Sequence, residues 1–183
     1  GLRLPPSQGP WVAPATLEIE AVVDGKGNTI QKVQFLEGGA VLGEDAVAPF
    51  VFRWVGVSAR STAVVARLFY EEGASLDSSP IPILVVNPKP TAVLNVPVPN
   101  GGWVAPTTVA MEALVNANGN VIQKVQFLEA GVVLGEDTAA PYRFDWVGVS
   151  ARNTRVAARV FYGDGAVIET APTQVVVSAG QPP

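Results

Sequence analysis

Several groups of residues in this sequence have types and spacings that could do chemistry. Adjacent carboxylates stand at Glu44 and Asp45 and again at Glu136 and Asp137, and a carboxylate pair is what glycoside hydrolysis uses as acid and base. The turns "DGKGN" (Asp24 to Asn28) and "NANGN" (Asn116 to Asn120), with the acidic loops Glu71 to Gly73 and Asp164 to Gly165, offer oxygen ligands of the kind calcium prefers. Aromatic rings beside polar groups can stack on sugar faces, which draws attention to Trp11, Trp103, Phe69 and Phe161. Lys32 and Lys124 could close an isopeptide bond if they were buried beside an Asn or Asp.

The elements that must position these residues remove most of this chemistry. Neighbouring residues on a strand point to opposite faces, so Glu44 and Asp45 cannot flank one bond, nor can Glu136 and Asp137. With no His and no Cys, Ser58 and Ser150 in "GVSAR" lack a plausible base and read as turn residues. No catalytic residue, cofactor ligand or metal ligand is assigned, and the chain is not expected to be an enzyme. The second oxygen-rich turn has no carboxylate and the first has one, too little charge for a tight calcium site; Asn, Asp and Gly are what tight turns require in any case. Lys32 and Lys124 fall on an outward register, which argues against an isopeptide bond.

The phrase "IQKVQFLE" occurs at Ile30 to Glu37 and again at Ile122 to Glu129. Trp11 matches Trp103, Trp54 matches Trp146 and Tyr70 matches Tyr162, a constant offset of 92 residues with 40 identities over the 60 pairs from 11 to 70. About 90 residues can bury their own core, whereas solenoid units of about 20–45 residues need neighbours. The chain therefore reads as two domains, 1–87 and 88–183, with a junction at "NPKP" (Asn87 to Pro90) whose prolines make it short and stiff.

Within each copy the period is two. Leu17, Ile19, Ala21 and Val23 alternate with Glu18 and Glu20; Val33 and Phe35 oppose Lys32, Gln34 and Leu36; Phe50, Phe52 and Trp54 oppose Val51 and Arg53; Val64, Ala66, Leu68 and Tyr70 oppose Val65, Arg67 and Phe69. About seven short strands bounded by Gly, Pro, Asn and Asp predict an all-β chain, two tandem immunoglobulin-like β-sandwiches joined by a short Pro-containing linker. The inward Phe35, Phe52 and Trp54 would fill the centre that a disulfide occupies in other such domains. Prolines in "LRLPP" and "VPVPN" would keep the first strand from pairing with another chain.

Composition narrows the partners. A hydrophobic fraction of 48% with 15% charged residues predicts a packed core, and a net charge of −4 argues against nucleic acid. No apolar run approaches the roughly 18 residues of a membrane span. The chain opens directly in "GLRLPPSQGP", without a basic and then apolar segment, which reads as an excised soluble piece.

The order "VAPATLEIEAVV", "KVQFLE", "VLGED", "APFVFRW" and "VARLFYEEG", repeated in the second copy, resembles the bacterial Ig-like modules appended in tandem to large secreted polysaccharide-degrading enzymes and cell-surface proteins. The likeness falls on Val33 and Phe35, Leu42 to Asp45, Ala48 to Trp54 and Ala66 to Gly73, and on their counterparts at Val125 and Phe127, Leu134 to Asp137, Ala140 to Trp146 and Ala158 to Gly165. It implies a noncatalytic spacer of an extracellular or cell-surface protein, whose partners are the neighbouring domains. The alternative expectation is a carbohydrate-binding or adhesive module. Its surface would comprise Gln34, Leu36, Arg67 and Phe69 with Gln126, Leu128, Arg159 and Phe161 on outer sheet faces, or Trp11 and Trp103 at the domain ends.

Overall fold

In the computed structural model, which describes residues 2–3, 10–71 and 73–180, the chain divides into two compact units, Gly1–Pro88 and Lys89–Pro183. The described residues carry no helix. The proline segment of "LRLPP" and Glu72 of the first acidic loop lie outside the described residues.

Unit 1 comprises β1 (Leu2–Arg3), β2 (Trp11–Val12), β3 (Ala15–Ala21), β4 (Ile30–Glu37), β5 (Ala40–Asp45), β6 (Phe50–Val57), β7 (Arg60–Tyr70), β8 (Ala74–Asp77) and β9 (Ile81–Val86). Unit 2 repeats the series as β10 (Thr91–Asn95), β11 (Trp103–Val104), β12 (Thr107–Asn116), β13 (Ile122–Glu129), β14 (Val132–Asp137), β15 (Tyr142–Val149), β16 (Arg152–Tyr162), β17 (Ala166–Glu169) and β18 (Thr173–Ser178). The small sheets have the order β1-β3-β6 and β10-β12-β15. The large sheets run β2-β9-β7-β4-β5 and β11-β18-β16-β13-β14, with β8 on β7 and β17 on β16. Pairing is antiparallel except for β2 with β9 and β11 with β18.

Each unit has more ladder segments than the seven the sequence suggests, for two reasons. The opening stretch is divided between the two sheets: in unit 2, β10 and β11 are separated by "VPVPNGG", where Pro97 and Pro99 have no N–H to donate and Gly101 and Gly102 take positive φ. The long strands β7 and β16 also carry two partners each. Arg60 to Val64 pair with β9 and Arg67 to Tyr70 with β8.

The two-residue period becomes burial directly. Along β3 the side chains alternate buried and exposed, and Leu17, Ile19, Val33, Phe35, Val64, Ile83 and Val85 from both sheets form the unit 1 core. Unit 2 packs Val109, Met111, Val125, Phe127, Val156, Val160, Val175 and Val177 in the same way. Each fully buried large side chain contributes about 1.5–3 kcal/mol through loss of apolar surface to water.

Phe35 stacks on Phe52 with ring centroids 5.6 Å apart, and Phe127 on Phe144 at 5.7 Å. That pair bridges the sheets where the sequence placed its fillers. Trp54 and Trp146 differ from the expectation: they face the core side but remain half-buried, packed against its margin. An arginine guanidinium lies over each ring, 5.7 Å from the Trp54 centroid and 5.3 Å from that of Trp146.

Candidate functional site

The outer face of the large sheet is the only surface on which the sequence gathered polar and aromatic candidates from several strands. In unit 1, Lys32 Nζ donates to Glu44 Oε2 at 2.7 Å and Gln34 Nε2 donates to the same oxygen at 3.1 Å. The Lys32 ammonium also lies 5.5 Å from the centroid of Phe69. Arg67 closes the row, with Nε and Nη2 donating to Asp77 Oδ1 and Oδ2 at 2.7 and 2.9 Å. Unit 2 repeats it: Lys124 and Gln126 hold Glu136, Lys124 lies 5.3 Å from Phe161, and Arg159 holds Glu169 at 2.7 Å.

These contacts alter what the candidate surface can offer. Phe69 and Phe161 are half-buried, and one ring face already carries an ammonium, a contact worth about 0.5–1 kcal/mol at exposed sites. A sugar stacking there would have to displace the lysine. Leu36 and Leu128 share this face but are 4% and 1% exposed. Their cross-strand neighbours are Val41 and Val65 for Leu36, and Val133 and Ala157 for Leu128. They cannot be contact residues, because alternation decides which side a residue faces and not what covers it.

The domain ends also depart from the expected surface. Trp103 is 6% exposed and belongs to the unit 2 core, and Trp11 is half-buried against the unit 1 core. The short parallel pairings of β2 with β9 and β11 with β18 fold these rings back over the sandwich. Trp103 presents no open ring for stacking, whereas Trp11 keeps part of its surface exposed.

The paired carboxylates divide as the alternation required. Glu44 lies on the outer face, whereas Asp45 turns to the loop before β6, accepting from Val47 N at 3.0 Å and Val51 N at 2.9 Å. Asp137 accepts likewise from Ala139 N and Arg143 N. The two carboxylates therefore serve separate networks.

Another cluster escaped the sequence reading as a unit, although each member is identical in both copies. Arg60 Nη1 donates to Glu37 Oε1 and Oε2 at 3.1 and 3.0 Å, Nη2 donates to Ser58 Oγ at 2.9 Å, and the guanidinium lies 5.7 Å from the Trp54 ring centroid. Arg152, Glu129, Ser150 and Trp146 repeat the arrangement. It positions Trp54 at the core margin and gives Ser58 a structural partner.

The oxygen-rich turns hold their oxygens internally. Asp24 Oδ1 accepts from Lys26 N and Asn116 Oδ1 from Asn118 N, while the Asn28 and Asn120 side-chain amides donate to Gly25 O and Ala117 O. Lys26, Asn118, Gly27 and Gly119 take positive φ. Among the described residues no group of three or more His, Cys, Asp or Glu side chains comes together in a metal-holding arrangement.

Hydrogen bonds and cations lower several carboxyl pKa values. Lys32 and then Gln34 lower that of Glu44, Lys124 and then Gln126 that of Glu136, and Arg67 that of Asp77. The amides of Val51 and Val47 lower Asp45, and those of Arg143 and Ala139 lower Asp137. As pH falls, the unfolded chain takes up protons first, near the ordinary values of 4.5 for Glu and 3.8 for Asp. Stability from these groups is therefore complete above about pH 5 and is lost as pH falls through the lowered folded values. The melting temperature should be flat through neutral pH, with no His to titrate, and should fall in acid; Asp45→Asn with Asp137→Asn should make the acid limb shallower.

A model of the bacterial Ig domain matches residues 5–66 and again residues 90–160. The chain belongs to the bacterial Ig domain family. Its two bacterial Ig domains match the two structural units, and the Phe52 and Trp54 strand, the Gly43 strand and Asp45 lie within the matched part. No curated protein sequence matches. Among solved structures, the fibronectin(III)-like modules of Clostridium thermocellum CbhA are 23% identical, with 98% of this chain and 95% of that one covered and a TM-score of 0.44. The N-terminal eight Ig domains of Down Syndrome Cell Adhesion Molecule are 14% identical at a TM-score of 0.53, covering 93% of this chain and 23% of that one. A Bacteroides ovatus protein, SGBP-B in complex with a mixed-linkage heptasaccharide, is 13% identical at a TM-score of 0.36, covering 97% and 47%. The second likeness shows the shared Ig fold for these bacterial Ig domains.

Proposed function

We propose that these tandem bacterial Ig domains are a noncatalytic spacer in a larger secreted or cell-surface bacterial protein, holding its neighbouring domains apart. The observation carrying this reading is that the conspicuous polar side chains common to both copies are engaged within their own unit. Lys32 and Gln34 both donate to Glu44, Arg67 binds Asp77, Arg60 binds Glu37, and Asp45 ties its own loop. A binding or catalytic site needs convergent groups aimed at a ligand; here they are aimed at each other. The prolines of "NPKP" support the same reading, because they limit swivelling between the units.

The reading requires no cofactor: within the Asp24 to Asn28 turn, Asp24 Oδ1 accepts from Lys26 N and Gly25 O from the Asn28 side-chain amide. Melting temperature should be unchanged between calcium and chelator, and a rise with calcium would assign the turns a metal role.

Polysaccharide recognition is the second reading, favoured by one observation: a half-buried phenylalanine flanked by Lys, Gln and Arg recurs on the same face of both units. Affinity electrophoresis and pull-down against plant, algal and bacterial polysaccharides decide between the two. The spacer reading expects no retention on any polymer. Retention abolished by Phe69→Ala with Phe161→Ala would replace it with a binding module. Those substitutions should cost less than about 1 kcal/mol of stability, since each removes an outer-face ring and a surface contact.

A further inference from the structure

Of the eight asparagines, two stand directly before glycine: Asn100 in "VPNGGW" and Asn118 in "NANGN". Such a pair can react with itself. The glycine amide nitrogen, once it gives up its proton, is a nucleophile within reach of the asparagine side-chain carbon Cγ, and with no Cβ on the glycine little hinders its approach. Unit 1 has no Asn-Gly pair: the repeat offset places Gln8-Gly9 opposite Asn100-Gly101, and Lys26-Gly27 opposite Asn118-Gly119.

The fold holds the two pairs differently. Asn118 is half-buried in the tight turn after β12, where its backbone N donates to Asn116 Oδ1 at 3.1 Å and its Nδ2 donates to Lys89 O at 2.7 Å. Asn120 closes the turn, with N and Nδ2 donating to Ala117 O at 2.9 and 2.8 Å. Nδ2 is the group that would leave, so its bond to Lys89 fixes the amide that would have to swing toward Gly119 N. Asn100 lies between β10 and β11, exposed together with Pro99, Gly101 and Gly102. One backbone bond shapes its turn, from Gly102 N to Pro99 O at 2.9 Å, and Gly101 takes the positive φ of 92° that the third residue of a type II turn requires. Among the described residues, neither the Asn100 side chain nor Gly101 N has a hydrogen-bond partner. A Cβ built on Gly101 would meet nothing within 4 Å, so the turn stands in open space.

We propose that Asn100 is a self-modifying site, converting through a cyclic imide to aspartate and isoaspartate, and that the bonds of the Asn118 turn protect Asn118 from the same reaction. The Gly101 nitrogen bonds to Asn100 Cγ, the Cγ–Nδ2 bond breaks, and ammonia leaves with the proton that Gly101 gave up. Water then opens the imide ring at one carbonyl or the other, leaving a carboxylate on the side chain or routing the main chain through it. Water is the sole co-reactant, and nothing is oxidised or reduced. Either product puts a negative charge where a neutral amide stood, and isoaspartate adds a carbon to the backbone of the turn. The proposal stands apart from the spacer reading. Polysaccharide retention would overturn that reading and leave this one intact.

The test is incubation of the whole chain in mildly alkaline buffer, folded and in urea, followed by peptide mass spectrometry. Conversion adds about 1 Da to a peptide, and isoaspartate separates from aspartate on chromatography. In the folded chain Asn100 should convert at least about tenfold faster than Asn118, because the held turn must open locally before it can react. In urea the two rates should come together, and Asn100→Gln should abolish conversion in its peptide. Aspartate without isoaspartate would overturn the imide route. Equal rates in the folded chain, or a difference that persists in urea, would overturn protection by the fold. An Asn100 that stays unconverted in the folded chain while the unfolded chain reacts would overturn the site itself.

Discussion

Phe127→Ala should lower the stability of unit 2 by about 3–5 kcal/mol, a large share of the roughly 5–15 kcal/mol that holds a domain of this size together. Phe127 has no exposed surface and stacks on Phe144 across the sandwich, with Val125, Val156 and Val160 among its buried core companions. Its removal leaves a cavity bounded by strands whose ladders resist collapse, so both the transfer loss and the cavity contribute. Phe35→Ala should do the same in unit 1, where Phe35 is equally buried on Phe52. Urea unfolding followed by hydrogen exchange, read separately in each unit, should show the loss in the altered unit. A cost under about 1 kcal/mol would mean that the ring pair does not bridge the sheets.

Gly43→Ala carries the second large effect, and it comes from adding a carbon. A Cβ at Gly43 would stand 2.4 Å from Cε2 and 2.6 Å from Cδ2 of Phe52; at Gly135 it would stand 2.2 Å from Cε2 of Phe144. The Phe52 ring lies over the backbone of β5 at Gly43 and also stacks on Phe35, the cross-strand partner of Gly43. Overpacking of this kind costs typically 1–3 kcal/mol and occasionally more. The diagnostic is coupling: Gly43→Ala with Phe52→Leu should be markedly less damaging than the sum of the two single changes, because the smaller side chain vacates the space. Additive losses would place the strain elsewhere in the backbone. This close approach explains why a glycine stands between Leu42 and Glu44 in "VLGED", a role independent of backbone freedom.

The two arguments show where sequence was informative. Alternation in "TLEIEA", "KVQFLE" and "VVARLFY" identified the buried faces of β3, β4 and β7, because a strand that is wet on one side writes its period into the residue types. The repeat at "IQKVQFLE" announced a duplicated domain for a similarly local reason: it is the same strand, β4 and β13, serving two separate cores. The absence of His and Cys, and the adjacency of Glu44 and Asp45 on one strand, limit the catalytic chemistry from the sequence itself.

Covering was the part decided only by tertiary structure. Leu36 and Phe69 share an outward register, yet Leu36 is 4% exposed and Phe69 carries the Lys32 ammonium. Trp103 sits beside Gly and Pro like an exposed end residue, but a two-residue parallel pairing draws it into the core. Arg60, Glu37, Ser58 and Trp54 are spread over more than 20 positions of the chain and meet only because β4, β6 and β7 converge. Strand period is a property of consecutive residues and is legible in the sequence. Which distant side chain covers, pairs with or excludes another depends on register between strands and on irregularities such as the bulge between Phe35 and Leu36. These belong to the assembled sheets, since the energies that select them arise between residues far apart in the chain.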